Sequence, residues 1–236
     1  MIFSSKSVSS EKLTAFSEIK KTLSYFIRFV KPAMNHGKSG KLIVIYGTNN
    51  LGKSTQAKLL LNNLLAAGHR AEYIKYPIYD LTPTGPEINK ILRSGGKQKI
   101  SELELQQLYA QNRFDFEPEL KKKLNQGVCV IAEDYIGTGL AWGVTKGAPL
   151  EELEKQNQGL IKEDLIFLLD GERFIEGKEK SHLHESSDEL MKKNREIHLE
   201  LAQKYGWRII DANRPVREVQ EEIWQRVKPL IGSLTK

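Results

Sequence analysis

The chain predicts a doubly wound α/β fold: a parallel five-stranded sheet with helices on both faces, preceded by one extra amino-terminal helix. Three observations carry this. Short apolar runs alternate with longer stretches of helical spacing. Most of those runs are apolar on both faces, as strands must be when helices cover a parallel sheet from both sides. A glycine-rich turn, Gly47-Thr48-Asn49-Asn50-Leu51-Gly52-Lys53-Ser54, joins the first run to the first long helix. In such a sheet, ligands bind at the carboxyl ends of the strands.

Residues 1–39 form an extension apart from this pattern. Leu13, Phe16, Ile19, Leu23, Phe26 and Ile27 recur near helical spacing between Glu11 and Val30. Pro32 ends that helix, and Asn35-His36-Gly37-Lys38-Ser39-Gly40 reads as a linker. The extension lacks the long apolar core of a secretory signal, and Glu11 and Glu18 weigh against an organelle transit peptide. It is expected to pack on the domain or on a second subunit.

Residues 40–236 hold the α/β domain. The expected strands are Leu42–Tyr46, Ala71–Lys75, Val128–Ala132, Asp164–Leu169 and Arg208–Asp211. The expected helices are Lys53–Ala67, Pro86–Arg93, Ser101–Asn125, Thr138–Val144, Ser187–Tyr205 and Val216–Leu230. Gly68, Gly127 and Gly206 each stand where a helix closes with a left-handed residue.

Composition narrows the function. The 236 residues suit one α/β domain with an appendage. The net charge of +6 suits an enzyme for anionic nucleotides as well as a nucleic-acid binder. The basic residues are scattered, and the densest run, Lys121-Lys122-Lys123, reads as a solvated helix face. No aromatic-interleaved basic stripe appears, so nucleic acid is not an expected partner. Cys129 is the sole cysteine and lies in the apolar run Val128-Cys129-Val130-Ile131. It reads as a buried strand residue, and one cysteine fits a reducing, cytoplasmic compartment. No apolar run approaches membrane-spanning length.

The turn from Gly47 to Ser54 matches the phosphate-binding loop pattern of glycine, four residues and Gly-Lys-Ser, in strand–loop–helix context. That is the signature of a P-loop NTPase-type domain. Glycines let backbone N–H groups turn toward phosphate oxygens, and the helix N-terminus adds positive partial charge. Lys53 is expected on the β- and γ-phosphates and Ser54 on Mg²⁺. Gly47, Asn50, Gly52 and Thr55 complete the ATP-binding set.

Three other segments carry chemistry. The third strand runs into Glu133-Asp134. An acidic residue there suits Mg²⁺, held directly or through water; the alternative is a helix cap or a partner for an arginine. The segment from about 171 to 186 carries Arg173, Lys178, Lys180, His182 and His184. It reads as a basic lid over phosphates or as an ordinary charged loop. The histidine pair has no third ligand to make it a metal site. Tyr109 and Arg113, four apart on the third helix, share a face that can stack on a base and bond its edge, or simply pack.

Together these segments resemble the thymidylate kinase family, from about Leu42 to Leu230. The resemblance rests on Gly47 through Gln56; on Tyr76-Pro77, Gly85 and Ile91-Leu92-Arg93-Ser94-Gly95; and on Leu108-Tyr109-Ala110-Gln111-Asn112-Arg113. It continues through Tyr135, Gly139, Ala141 and Trp142 to Ile210-Asp211-Ala212-Asn213-Arg214-Pro215-Val216. It implies transfer of the ATP γ-phosphoryl group to a deoxynucleoside monophosphate, most simply dTMP to dTDP, with Mg²⁺, in a nucleoside monophosphate kinase domain. By position, Tyr109 would stack on the base, Arg113 would bond its edge, and Gly139 and Trp142 would lie by the nucleoside. Arg93 and Asn49 would join the acceptor site, and Asn213 and Pro215 the adenine side. The variable loop positions Thr48, Asn49, Asn50 and Leu51 carry no cation, so Arg173 in the lid would act with Lys53 and Glu133 in catalysis. A two-fold homodimer is also implied.

The chain departs from the family pattern at three points. Asn49 stands where the family has an acid that contacts the sugar 3′-hydroxyl. Glu133-Asp134 replaces Asp-Arg, and Ile78-Tyr79 follows Tyr76-Pro77 where the family favours an arginine. Two cations expected around the acceptor phosphate are therefore missing. This motivates two other readings: a deoxynucleoside kinase, or nucleotide kinase of altered acceptor choice, with a carboxylate as base; and a nucleotide-binding regulator without turnover.

Overall fold

The computed structural model describes residues 39–93, 100–172 and 188–232. Within them the five expected strands form one parallel sheet: β1 (Leu42–Tyr46), β2 (Ala71–Lys75), β3 (Cys129–Glu133), β4 (Leu165–Asp170) and β5 (Arg208–Asp211), in the order β2-β3-β1-β4-β5. The described helices are α1 (Lys53–Ala66), α2 (Thr84–Leu92), α3 (Glu102–Asn125), α4 (Ile136–Thr145), α5 (Leu150–Gln156), α6 (Asp188–Tyr205) and α7 (Val216–Ile231). The amino-terminal helix expected within residues 1–38 lies outside the described residues.

The two-residue period of the strands divides the core. Leu42, Val44 and Tyr46 of β1 point to one face with Val130, Ala132 and Leu168, where Leu120, Leu140, Leu201 and Trp207 cover them. Ile43 and Ile45 point to the other with Ile131, Phe167, Leu169 and Ile210, under Leu60, Leu64, Val219 and Ile223. Strands β1 and β3 are buried throughout. The edge strands β2 and β5 are not, since they have a neighbour on one side only and carry Glu72, Lys75, Arg208 and Asp211 outward.

Two differences from expectation have local causes. Helix α5 was not expected; Pro149 precedes it, Glu151 and Glu152 occupy its first turn and Lys155 its last, which suits the helix dipole at both ends. Helix α2 starts at Thr84 rather than Pro86, because a proline in the first turn removes only an N–H that has no intrahelical partner. Gly68, Gly127 and Gly206 do adopt positive φ at the helix ends. Helix α3 keeps a capping box: Ser101 accepts from Glu104 N, and the Glu104 side chain accepts from Ser101 N.

Candidate active site

The phosphate loop leaves the carboxyl end of the central strand β1 and turns into α1. Gly47, Asn50 and Gly52 have φ of 142°, 64° and 80°. At Gly47 a Cβ would lie 2.6 Å from Leu169 O, so glycine is needed both for the turn and for the approach to β4. No side chain caps α1, which leaves its first N–H groups facing the loop. Lys53 is only 6% exposed, and its Nζ donates to Gly47 O (2.9 Å) and Thr48 O (3.0 Å). Gln56 Nε2 donates to Val216 O at 3.0 Å, tying α1 to the start of α7. Thr55 is exposed on the first turn of α1.

The two carboxylates that follow β3 sit in different surroundings. Glu133 lies on the α1 side of the sheet, in register with Lys75 of β2. Ser54 Oγ donates to Glu133 Oε1 at 2.8 Å, Lys75 Nζ lies 3.1 Å from the same oxygen, and the Tyr73 hydroxyl donates a short bond to Oε2. Burial alone would raise the Glu133 carboxyl. The bond from Tyr73, the charges of Lys75 and Lys53 and the bond from Ser54 together hold it below the usual range. Asp134 is turned away by a φ of 57°. Its Oδ1 accepts from Thr138 Oγ1 at 2.8 Å and lies 3.8 Å from Lys53 Nζ. Burial raises this carboxyl, against the pull of Lys53. Of the alternatives open from sequence, then, Asp134 engages the next helix, and Glu133 faces a lysine rather than an arginine.

A cavity of about 110 Å³ opens beside Asp134, on the opposite side from Glu133. Tyr109, Arg113, Gly139 and Trp142 all line it, with Tyr76, Tyr135 and Gln106. Arg113 is 4% exposed. Its Nη1 donates to Asn157 Oδ1 at 2.8 Å, and its Nε has no hydrogen-bond partner among the described residues. Burial lowers its pKa from the usual arginine value. A Cβ at Gly139 would stand 2.5 Å from Arg113 Nη2, so glycine makes room for the guanidinium. Arg93 ends α2 at the surface and Asn49 sits in the phosphate loop; neither is among the described lining residues.

Toward the β5 edge of the sheet, at the same carboxyl ends, Asn213 joins two loops. Its Oδ1 accepts from Glu172 N (2.7 Å), and its N and Nδ2 both donate to Asp211 Oδ1. Pro215 caps α7. Asp170 at the end of β4 takes both oxygens to Arg195 of α6, at 2.5 and 2.7 Å. Arg173, Lys178, Lys180, His182 and His184 lie outside the described residues. Among the described residues no helix is long and apolar enough to cross a membrane. Cys129 is buried, and burial raises its thiol pKa, as expected of a packing residue.

Several site residues escaped the sequence reading. Tyr73 and Lys75 reach Glu133 only through the register of β2 on β3. Asn112 bonds Ile78 N and O and Thr84 Oγ1, and so holds the segment after β2 against α3. Gln106 lies three residues before Tyr109 on α3, a spacing that places both on one face.

A phosphate loop on the central strand of a parallel sheet makes this a P-loop nucleotide-binding fold, and the cavity beside Asp134 leaves room for another ligand next to the nucleotide. The family model of thymidylate kinase matches residues 45–223. Human thymidylate kinase is 31% identical over 194 residues, covering 79% of this chain and 89% of the relative. A probable thymidylate kinase of Thermococcus kodakarensis is 33% identical over 204 residues, covering 80% and 98%. The solved thymidylate kinase of Candida albicans superposes with a TM-score of 0.65 at 25% identity, covering 81% and 92%. The chain belongs to the thymidylate kinase family.

Proposed function

We propose that this protein transfers the γ-phosphoryl group of ATP to the 5′-phosphate of dTMP, giving ADP and dTDP. The observation that carries the reading is the placement of Asp134: it lies 3.8 Å from Lys53 of the phosphate loop and also lines the cavity that holds Tyr109, Arg113 and Trp142. Donor and acceptor sites are thereby adjoining. Family membership supports the same reaction.

Phosphoryl transfer asks the protein for positioning and charge rather than covalent chemistry. The loop N–H groups and the α1 terminus receive the donor phosphates. The Lys53 ammonium moves from its own loop carbonyls onto phosphate oxygens. Gly47, Asn50, Gly52 and Thr55 complete the ATP site, with Asn213 and Pro215 on its adenine side. Tyr109 stacks on the thymine, Arg113 donates to its edge, and Trp142 closes the nucleoside side at Gly139. Ser54 and Glu133 fit Mg²⁺: both offer hard oxygens, and Glu133 is kept ionised and already faces a cation, Lys75. A bound Mg²⁺ supplies neutralisation of the charge that develops on the phosphates. Lys75 pairs with Glu133 and is 52% exposed on its side chain, which suits it to share the phosphate charge with Lys53 and Arg173.

A second reading has an observation of its own. Asp134 is a half-buried carboxyl with a raised pKa, at the cavity and next to Lys53. There it can serve as base toward the 5′-hydroxyl of a nucleoside. ADP release with ATP and Mg²⁺, offering dTMP, the other deoxynucleoside monophosphates and thymidine in parallel, separates the two. Turnover with dTMP is expected; turnover with thymidine alone makes the protein a nucleoside kinase. Silence with all acceptors alongside firm ATP binding makes it a regulator.

A further inference from the structure

We propose that Gln106 reads the acceptor base, its Oε1 accepting the N3–H of a 2,4-dioxopyrimidine while Arg113 donates to the neighbouring O4. The assignment rests on the acceptor reading above. Gln106 is 3% exposed and lines the cavity. Its Oε1 is buried and has no hydrogen-bond partner among the described residues. A buried amide oxygen without a partner is destabilising, so its persistence at a cavity wall points to a donor that arrives with the ligand.

The orientation of the amide is set by its other end. Gln106 Nε2 donates to Glu102 Oε1 at 2.7 Å, and Lys146 Nζ lies 3.1 Å from Glu102 Oε2. A carboxylate only accepts, so it takes the NH₂ and leaves the carbonyl oxygen on the opposite side. That side is Gly139: a Cβ there would stand 3.0 Å from Gln106 Oε1 and 2.5 Å from Arg113 Nη2. One acceptor and one donor therefore both approach Gly139, and all three residues line the cavity. Thymine and uracil present a carbonyl next to an N–H, which completes both bonds. Cytosine presents an NH₂ next to a bare ring nitrogen, so donor meets donor and acceptor meets acceptor. Sites that hydrogen-bond a substrate N–H reject analogues lacking it, because the buried group is left unpaired.

The test is steady-state ADP release with dTMP, 3-methyl-dTMP and dCMP, on wild type and on Gln106→Leu. Wild type is expected to use dTMP at least about a hundredfold better than 3-methyl-dTMP in kcat/KM. Gln106→Leu is expected to raise the KM for dTMP on the order of tenfold to a hundredfold, with kcat within a few-fold. It should also shrink the dTMP preference over dCMP by about tenfold or more. An unchanged dTMP-to-dCMP ratio in the variant overturns the assignment, as does equal use of dTMP and its 3-methyl form by wild type. The modified substrate keeps the test valid if the variant does not fold. If wild type ignores dTMP, the acceptor reading fails and takes this assignment with it; if dTMP is used and the preferences do not respond, only Gln106 is wrong.

Discussion

In the phosphate half of the cleft, each charged group already has company of opposite sign. Lys53 faces two carbonyls and Asp134, and Glu133 faces Lys75 with two hydroxyl donors. In the base half, the buried Arg113 has a neutral amide for its one described side-chain bond, and Gln106 Oε1 has no partner among the described residues. The phosphate half can thus stay assembled while empty, with internal partners that exchange for phosphate and metal. The base half has hydrogen-bonding capacity that the described residues leave open to a ligand. Rate should therefore depend on the first region for any acceptor, and acceptor choice on the second.

The sharpest way to break this contrast is Lys53→Ala. Removing the ammonium should lower kcat by roughly a thousandfold or more for every acceptor, with the fold intact by circular dichroism. Near-normal turnover would refute both the clamp and the division of labour. Glu133→Gln should come next. It keeps the shape but loses the charge, so the Mg²⁺ concentration for half-maximal rate should rise about tenfold to a hundredfold, while the KM for dTMP stays within a few-fold. A Mg²⁺ titration that superposes on wild type would remove Glu133 from the metal site.

Asp134→Asn probes the boundary between the halves. Asparagine tolerates the positive φ and keeps an acceptor for Thr138, yet removes a negative charge next to the acceptor phosphate. The KM for dTMP should fall by about threefold. Because the Asp134 pKa is raised, its charge appears later than usual as pH rises; the wild-type KM should climb on that side and the variant's should not. If Asp134 is instead the base for a nucleoside, the same variant loses turnover, which separates the two readings.

The smallest effect falls outside both halves, on stability. His198 is buried in α6, its Nδ1 2.9 Å from Asn194 O, and burial lowers its pKa to about 4. Between the unfolded value of about 6.5 and that lowered value, the unfolded chain binds a proton that the folded protein does not. Stability should therefore drop as pH falls through this window, by about 3 kcal/mol at most. Melting curves from pH 7 to 4.5 should show a shallower slope for His198→Gln; parallel slopes would show that other groups control the acid limb.

Much of the fold was legible before any coordinates. All five strands lie within a residue of expectation at each end; the central ones are the plainest, because strands buried on both faces leave long apolar runs. The phosphate loop was legible because its glycines, lysine and serine act through local backbone geometry. Helix α5 was not, since seven residues offer too short a period to stand out. In the site, Tyr109 and Arg113 were readable as a helical pair, whereas Tyr73 and Lys75 were not. Nothing in a β-strand's own sequence says which residue of another strand it will face.

The sequence by itself determined the order of elements, the left-handed turns and the residues able to bind phosphate, all of which depend on neighbours within a few positions. Only the tertiary structure decided how the adjacent carboxylates divide. The end of β3 sends Glu133 to Ser54 and Lys75, and the positive φ of Asp134 sends its side chain toward Lys53 and the cavity. Charge state follows surroundings, and those surroundings come from strands and helices dozens of residues apart.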